Sequence, residues 1–288
     1  MTPPPISPEA ALDALRQAAE FNRTDPIRSG SLLKFPDYGQ VVMTGDMHGH
    51  RRNFEKLCRY AMLDRAAARH VVLHELIHED SVPGQPDTSW ELLIRAAEYK
   101  CRFPEQVHFI QSNHELAQLT GQRISKGGRD VVAEFADAVT AAFGRDGPVI
   151  LAAINELIAS YPLAARLPHG VWLSHSLPDA QDMDRFDPRV VERVTFDPYD
   201  HQPGGDVYRL VWGRRHTPRL LERLAAAWDV NTFVIGHQPQ DTGYDVPLDR
   251  LLIIASDHNH GVFLPIDLSR VATVDMLVSS IRKFVEVA

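Results

Sequence analysis

Residues 40–53 read QVVMTGDMHGHRRN. Val41, Val42 and Met43 favour a strand, and Thr44-Gly45 turns the chain at its end. Asp46 and His48 follow at once, two residues apart. Side chains on a strand alternate with a period of two, but where the chain curls beyond the strand two such residues can converge on one point. A carboxylate oxygen and an imidazole nitrogen together suit Mn, Fe or Zn. The same stretch also reads as a plain strand-to-helix turn with a capping Asp, so the rest of the chain has to decide.

The whole chain sets the frame. Its 288 residues suffice for one large α/β domain or two small ones. Hydrophobic content of 44% with 24% charged residues is ordinary for a globular protein. A net charge of -8 argues against nucleic acid held through the overall field, while leaving room for a local basic pocket. Cys58 and Cys101 stand in unrelated contexts, which excludes a disulfide framework and fits a reducing compartment. With no basic start followed by an apolar run, and no apolar stretch near 18 residues, the expectation is a soluble cytoplasmic protein with no membrane partner. The 14 histidines stand out, because several sit beside acids or glycines near apolar runs.

Outward from residues 40–53 the pattern repeats. Pro3-Pro4-Pro5 is an extended start, and Ser7-Pro8-Glu9 opens a helix running to about Glu20 or Phe21. Residues 30–38 read as a connection, and 53–62 have helical spacing. His70-Val71-Val72-Leu73 is a short buried strand that stops in His74-Glu75-Leu76-Ile77-His78-Glu79-Asp80. Ser89 is expected to cap a helix over 90–102, and the strand 107–110 ends in Gln111-Ser112-Asn113-His114-Glu115. Helices over 130–160 break at 144–148, and strand 171–174 ends in His175. Residues 179–206 form a long acidic, Pro-rich loop. Helix 218–228 precedes strand 232–235, which ends in Gly236-His237; strands 251–255 and 262–266 and a helix over 274–285 complete the chain. Five short apolar strands therefore end in His, Asp, Glu or Asn, and ligands of open α/β sheets bind beyond the carboxyl ends of strands.

One local motif offers a different chemistry. His74-Glu75-Leu76-Ile77-His78 matches H-E-x-x-H, which on a helix would place two imidazoles on one face as in a zinc protease. Its context weakens this reading, since it follows a β-branched run directly and a Pro/Gly segment comes within a turn.

Taken together, the strand ends carry a resemblance. Gly45-Asp46-Met47-His48-Gly49 resembles the G-D-x-H-G of calcineurin-like metallophosphoesterases. Among these the chain is most similar to the phosphoprotein phosphatase family of serine/threonine phosphatases. Residues 90–115 (WELLIRAAEYKCRFPEQVHFIQSNHE), 157–178 and 227–244 resemble that family's later motifs in order, and the likeness spans about residues 40–265. It implies a four-layer α/β/β/α sandwich over 40–288, preceded by a helix and connection over 1–39, with the metal site at the strand ends. It also implies two Mn, Fe or Zn ions, with Asp46 and His48 on the first and Asn113, His175 and His237 on the second. The bridging carboxylate falls at Glu75, one methylene longer than the family's aspartate. His114 falls on the histidine that protonates the leaving oxygen of a phosphorylated substrate.

The second motif departs from the family. His78 replaces the aspartate that orients the catalytic histidine, and Glu79 replaces a phosphate-gripping arginine. Gln111 replaces the arginine before G-N-H-E. A neutral His78 can still hydrogen-bond His114, and His74 is a possible extra metal ligand. Arg214 and Arg215 are the candidate phosphate clamps, because guanidinium matches phosphate bidentately. Three functions stay open: a metal-dependent phosphatase, a metal-binding relative that has lost hydrolysis, and the H-E-x-x-H protease.

Overall fold

A computed structural model describes residues 6–79 and 84–287. The extended start at Pro3-Pro4-Pro5 and most of the loop after Glu79 lie outside them. Two sheets form the middle of the molecule. The first has five strands, ordered Arg282–Lys283, Val262–Asp267, Gln40–Thr44, Arg69–Leu73, Val107–Phe109. The second has seven, ordered Arg28–Ser29, Leu32–Lys34, Ala164–Leu167, Val171–Ser174, Thr232–Ile235, Leu251–Ile254, Tyr244–Leu248.

The period of two explains the layering. Val41, Met43 and Val72 point inward and meet Leu173, Val234 and Ile254 of the other sheet in one apolar layer. The alternate residues Val42, Val71 and Leu73 pack outward against Leu15, Leu57, Leu93, Phe135 and Ile154, from the helices Pro8–Arg23, Arg51–Ala61, Ser89–Arg102, Val131–Phe143 and Gly147–Ala159. Trp172, Phe233 and Leu251 face out from the second sheet onto Leu210, Leu220 and Trp228 of Asp206–Trp212 and Pro218–Trp228. The result is the expected α/β/β/α sandwich. Because both faces of these strands are covered, their sequences read as unbroken apolar runs.

Several local expectations shift. Ser89 is the first residue of its helix rather than its cap; Thr88 is the N-cap and makes no side-chain cap bond. Ser89 Oγ accepts instead from His78 N at 2.9 Å. The first helix continues to Arg23. The last one stops at Ser280, because Arg282 and Lys283 leave it to pair with Phe263 and Val262. Residues 30–38 contain the strand Leu32–Lys34, which pairs with Arg28–Ser29 and Ala164–Leu167, and Tyr244–Leu248 is a further strand at the opposite edge. Within 179–206 the chain makes short 3-10 turns gathered by Arg193, which binds Asp187 and Asp200 at 3.0 Å each.

Candidate metal centre

The site is built where the two sheets touch. Beyond Thr44 the chain crosses to the second sheet: Gly45 N donates to Ser256 Oγ at 2.8 Å, and Ser256 N to Asp46 O at 3.1 Å. A Cβ on Gly45 would stand 2.1 Å from Ile254 O, so only glycine permits the crossing. The loop after Leu73 is laced to this corner, with Met47 N and His48 N both donating to Glu75 O at 2.9 Å. Glu75 and His78 take φ values of 48° and 60°, so His74–His78 is not helical and the H-E-x-x-H reading loses its premise. Among the described residues seven non-glycines have positive φ, and four of them are site residues: His48, Glu75, His78 and His237. Such conformations cost about 1–3 kcal/mol each and persist where the surroundings impose them.

Glu75 occupies the centre. Its Oε1 lies 3.1 Å from His48 Nε2, and its Oε2 lies 3.2 Å from His175 Nε2. His175 Nε2 is also 2.6 Å from Asn113 Oδ1 and 3.0 Å from His237 Nδ1. The expected second set, Asn113, His175 and His237, is therefore gathered at His175 Nε2, which one Glu75 oxygen also approaches. The first set is gathered differently. His48 clusters with Glu75 and His114, whereas Asp46 clusters with His74 and His175. Asp46 Oδ1 is 3.5 Å from Nδ1 of both those histidines and accepts from His237 N at 3.0 Å. The absence of a side chain at Gly236 makes this possible, since a Cβ there would lie 2.3 Å from Asp46 Oδ1 and 2.6 Å from His74 Cε1.

Backbone carbonyls, which only accept, orient the imidazoles. His48 Nδ1 donates to Ile77 O at 3.0 Å, turning Nε2 toward Glu75. His74 Nε2 donates to Thr44 O at 2.8 Å, and burial pushes this ring's pKa down to about 4, so Nδ1 is bare. His175 Nδ1, 3.0 Å away, donates to it and leaves its own Nε2 bare toward Glu75 and Asn113. His237 Nε2 faces a donor, Arg214 Nε at 3.0 Å, and an acceptor, Trp212 O at 3.3 Å. Burial would depress His48, but the Glu75 carboxylate outweighs it and lifts the ring to about 9. Asp46 is raised by burial and then by Glu75.

A second chain of contacts serves His114. Its Nδ1 lies 3.0 Å from His78 Nδ1, and His78 Nε2 lies 3.0 Å from Gln118 Oε1. With the amide oxygen accepting, His78 carries its proton on Nε2 and His114 on Nδ1. Burial, followed by neighbouring positive charge, holds His114 well below the usual imidazole range after the opposing pull of Glu75. Beneath it, Glu115 Oε1 accepts from Leu76 N at 2.7 Å and its carboxylate binds Ser112 Oγ, which ties the two loops together.

The charged rim divides the sequence candidates. Arg214 reaches His237, whereas Arg215 is held by Asp179, with Nη2 to Oδ2 at 2.7 Å and the guanidinium largely exposed. Arg215 is thus not brought to the centre. Glu79 turns away to accept from Thr88 N at 2.5 Å, at the start of the helix Ser89–Arg102. Glu79, with His48, Gly49, Arg52, Asp257 and Asn259, borders a cavity of about 430 Å³. Gln118, Glu115 and Lys126, whose Nζ is 3.5 Å from His48 Nε2, were not singled out from the sequence. Gln118 had a signal, since it lies one helical turn past His114.

The residues fit a resident cation. Glu75 Oε2 is buried and accepts no hydrogen bond, although His175 Nε2 lies 3.2 Å from it. Two carboxylates lie buried here, and leaving one uncompensated costs several kcal/mol. Imidazole nitrogens and carboxylates are the donor set of Mn, Fe and Zn.

No family model matches the chain, and no curated protein matches it. Solved structures do. A protein serine/threonine phosphatase from Saccharomyces cerevisiae, described as similar to human phosphatase PP5, superposes with a TM-score of 0.67. It shares 14% identity over 90% of this chain and 82% of that one. A cold-active protein-tyrosine phosphatase of a psychrophilic Shewanella gives a TM-score of 0.61 at 17% identity, over 87% and 80% of the two chains. The chain has the calcineurin-like phosphatase fold. Among the described residues no helix is long and apolar enough to cross a membrane.

Proposed function

We propose that this chain is a metal-dependent phosphatase, serine/threonine phosphatase-like, that hydrolyses a phosphomonoester. The observation that carries the reading is Glu75, whose two buried oxygens face His48 on one side and the Asn113–His175–His237 group on the other, on a phosphatase fold. Asp46, His48 and Glu75 would hold one Mn, Fe or Zn ion and Glu75, Asn113, His175 and His237 the other. Bound there, the pair supplies positive charge that makes a water more acidic and neutralises phosphate oxygens. His74 supports His175 through its bare Nδ1 rather than by adding a ligand.

The chain's own groups do the rest. With its Nε2 proton turned to Trp212 O, His237 bares Nδ1 to the cluster and releases Arg214 to a phosphate oxygen. A phosphate dianion beside His114 favours its charged form, and the ring then gives a proton from Nε2 to the departing oxygen while His78 holds Nδ1. His78 and Gln118 position His114 and touch no substrate. Cys58 and Cys101, both unpaired, fit a reducing, cytoplasmic setting.

A second reading has its own observation. Glu79 stands where the resembled family has an arginine, so the chain could bind metal without hydrolysis. One experiment separates the two. Purified protein should contain two Mn, Fe or Zn per chain and hydrolyse p-nitrophenyl phosphate only when loaded, with His114→Asn lowering kcat by about 10²-fold or more. Metal without turnover on any ester would favour the second reading, and no metal at all would sink both.

A further inference from the structure

We propose that a cavity at the other end of the first sheet binds a small hydroxylated aromatic acid, whose hydroxyl donates to His70 and whose carboxylate meets Arg102. The site is separate from the metal centre and does not rest on the phosphatase reading. The parallel strands Gln40–Thr44, Arg69–Leu73 and Val107–Phe109 place the metal-site residues beyond their carboxyl ends. His70, at the start of its strand, therefore lies at the opposite end. There a cavity of about 650 Å³ opens, walled in part by Pro26, Pro36, Tyr38 and Phe103, with His70 and Arg102 among its polar groups. Such a volume suits a small molecule.

A buried relay behind His70 sets what the ligand must offer. Asp25 Oδ2 accepts from His108 Nδ1 at 2.9 Å, and Lys100 Nζ, 3.2 Å from the same oxygen, compensates its charge. Burial keeps His108 neutral, so its Nε2 is bare. His70 Nδ1 lies 3.1 Å from that nitrogen and 3.1 Å from Glu105 O, two acceptors, and therefore carries the proton of its ring. His70 Nε2 is left bare, with no hydrogen-bond partner among the described residues. Every link donates toward the Asp25 carboxylate, and aligned bonds polarise one another. Nε2 is the electron-rich end of that chain and calls for an O–H or N–H donor. Among the described residues the clusters suited to a metal lie elsewhere, which leaves an organic donor.

The remaining groups narrow the class. The Arg102 guanidinium lies 5.0 Å from the centre of the Phe103 ring and forms no ion pair among the described residues. A guanidinium at the rim of an apolar wall suits a carboxylate. Tyr38 is 61% exposed, and with Phe103 it offers the ring surface on which a flat aromatic body packs. An aromatic ring bearing a hydroxyl and an acid answers all three demands. A purely apolar ligand would leave both polar groups unmet, and a cation would be repelled by Arg102.

The test is calorimetric titration of p-hydroxyphenylacetate into the full chain, beside phenylacetate, which lacks the hydroxyl, and p-cresol, which lacks the acid. The parent should bind p-hydroxyphenylacetate with a Kd of about 1 mM or below, and each of the other two about 5-fold more weakly or worse. His70→Phe should bind p-hydroxyphenylacetate and phenylacetate equally, because the acceptor is gone. Arg102→Gln, a change at an exposed side chain, should bind p-hydroxyphenylacetate no better than p-cresol. Circular dichroism checks the fold of both variants, and should His70→Phe not fold, Arg102→Gln and the three probes still decide. Absence of saturable binding would overturn the site, and equal binding of all three probes by the parent would overturn the assigned contacts. Binding of p-hydroxyphenylacetate unchanged in both variants would put the acid elsewhere, the metal centre included, and would overturn the proposal while leaving the phosphatase reading untouched.

Discussion

On the proposed mechanism, Gln118 is a neutral side chain that governs His114 without touching it. Its Oε1 accepts the hydrogen bond of His78 Nε2–H at 3.0 Å, and that choice of tautomer passes through His78 Nδ1 to His114 Nδ1. In the resembled family a carboxylate contacts the catalytic histidine directly; here an imidazole and an amide share the task. Gln118→Leu has similar bulk but leaves the His78 N–H buried without a partner, a loss of about 1–3 kcal/mol in stability. It should lower kcat about 10-fold, since an oriented proton donor is worth 10²–10⁴ and only its orientation is lost. KM and metal content should hold. Gln118→Glu, which still accepts from His78, should retain most of the activity. Steady-state kinetics with metal analysis decides the matter: an unchanged kcat in Gln118→Leu would remove Gln118 from the positioning chain.

At the scale of elements, function depends on corners at strand ends more than on the strands. Thr232–Ile235 delivers Gly236, whose missing side chain leaves room for Asp46 Oδ1 and His74 Cε1. Gly236→Ala should therefore push Asp46 away, cutting bound metal by half or more while the fold and its circular dichroism persist; full metal content would refute the packing argument. These corners were partly legible. Strands 71–73, 107–109, 171–174 and 232–235 announce themselves as short apolar runs because both faces are buried, and the polar residues that end them mark the site. What escaped the sequence was non-local. Nothing near Thr88 shows that Glu79 will serve its N–H, or that Ser89 will receive His78 N. The last helix stops at Ser280 because Arg282 and Lys283 pair with the strand Val262–Asp267 and become the edge of its sheet, a preference no helical pattern reveals. Arg214 and Arg215 read alike in sequence, and only Asp179, 36 residues from Arg215, distinguishes them. Lys126 lies on a hairpin whose Gly-Gly turn was readable but whose seat against Ala117 was not.

Across the whole molecule, the candidate metal centre at one end of the first sheet is balanced by a second buried polar cluster at the other. His70 is the second residue of the strand Arg69–Leu73, whose far end delivers His74. Lys100 Nζ lies 3.2 Å from Asp25 Oδ2, and His108 Nδ1 donates to the same oxygen at 2.9 Å. His70 Nδ1 then lies 3.1 Å from both His108 Nε2 and Glu105 O, so it is the donor and His108 Nε2 the acceptor. This network ties the chain after the first helix to the helix Ser89–Arg102 and the start of the strand Val107–Phe109. It also makes stability depend on pH. Burial, followed by the neighbouring His108, pushes His70 down from 6.5 to about 4. The folded protein therefore keeps this ring neutral until about pH 4, while the unfolded chain takes up a proton near pH 6.5. Between those values the unfolded state binds more protons, so stability falls as pH falls through the window. Such a shift corresponds to roughly 3 kcal/mol, reduced to about 2 kcal/mol by screening at the ring's water-facing edge. His108 is depressed in the same direction, chiefly by burial, and adds to the loss. Urea unfolding of the parent and of His70→Asn, followed from pH 7 to pH 4.5, separates this cluster from the metal-site histidines, which both proteins share. The parent should lose about 2 kcal/mol more than the variant over that range; parallel pH profiles would mean that His70 is protonated in the folded protein and that the network carries charge rather than excluding it.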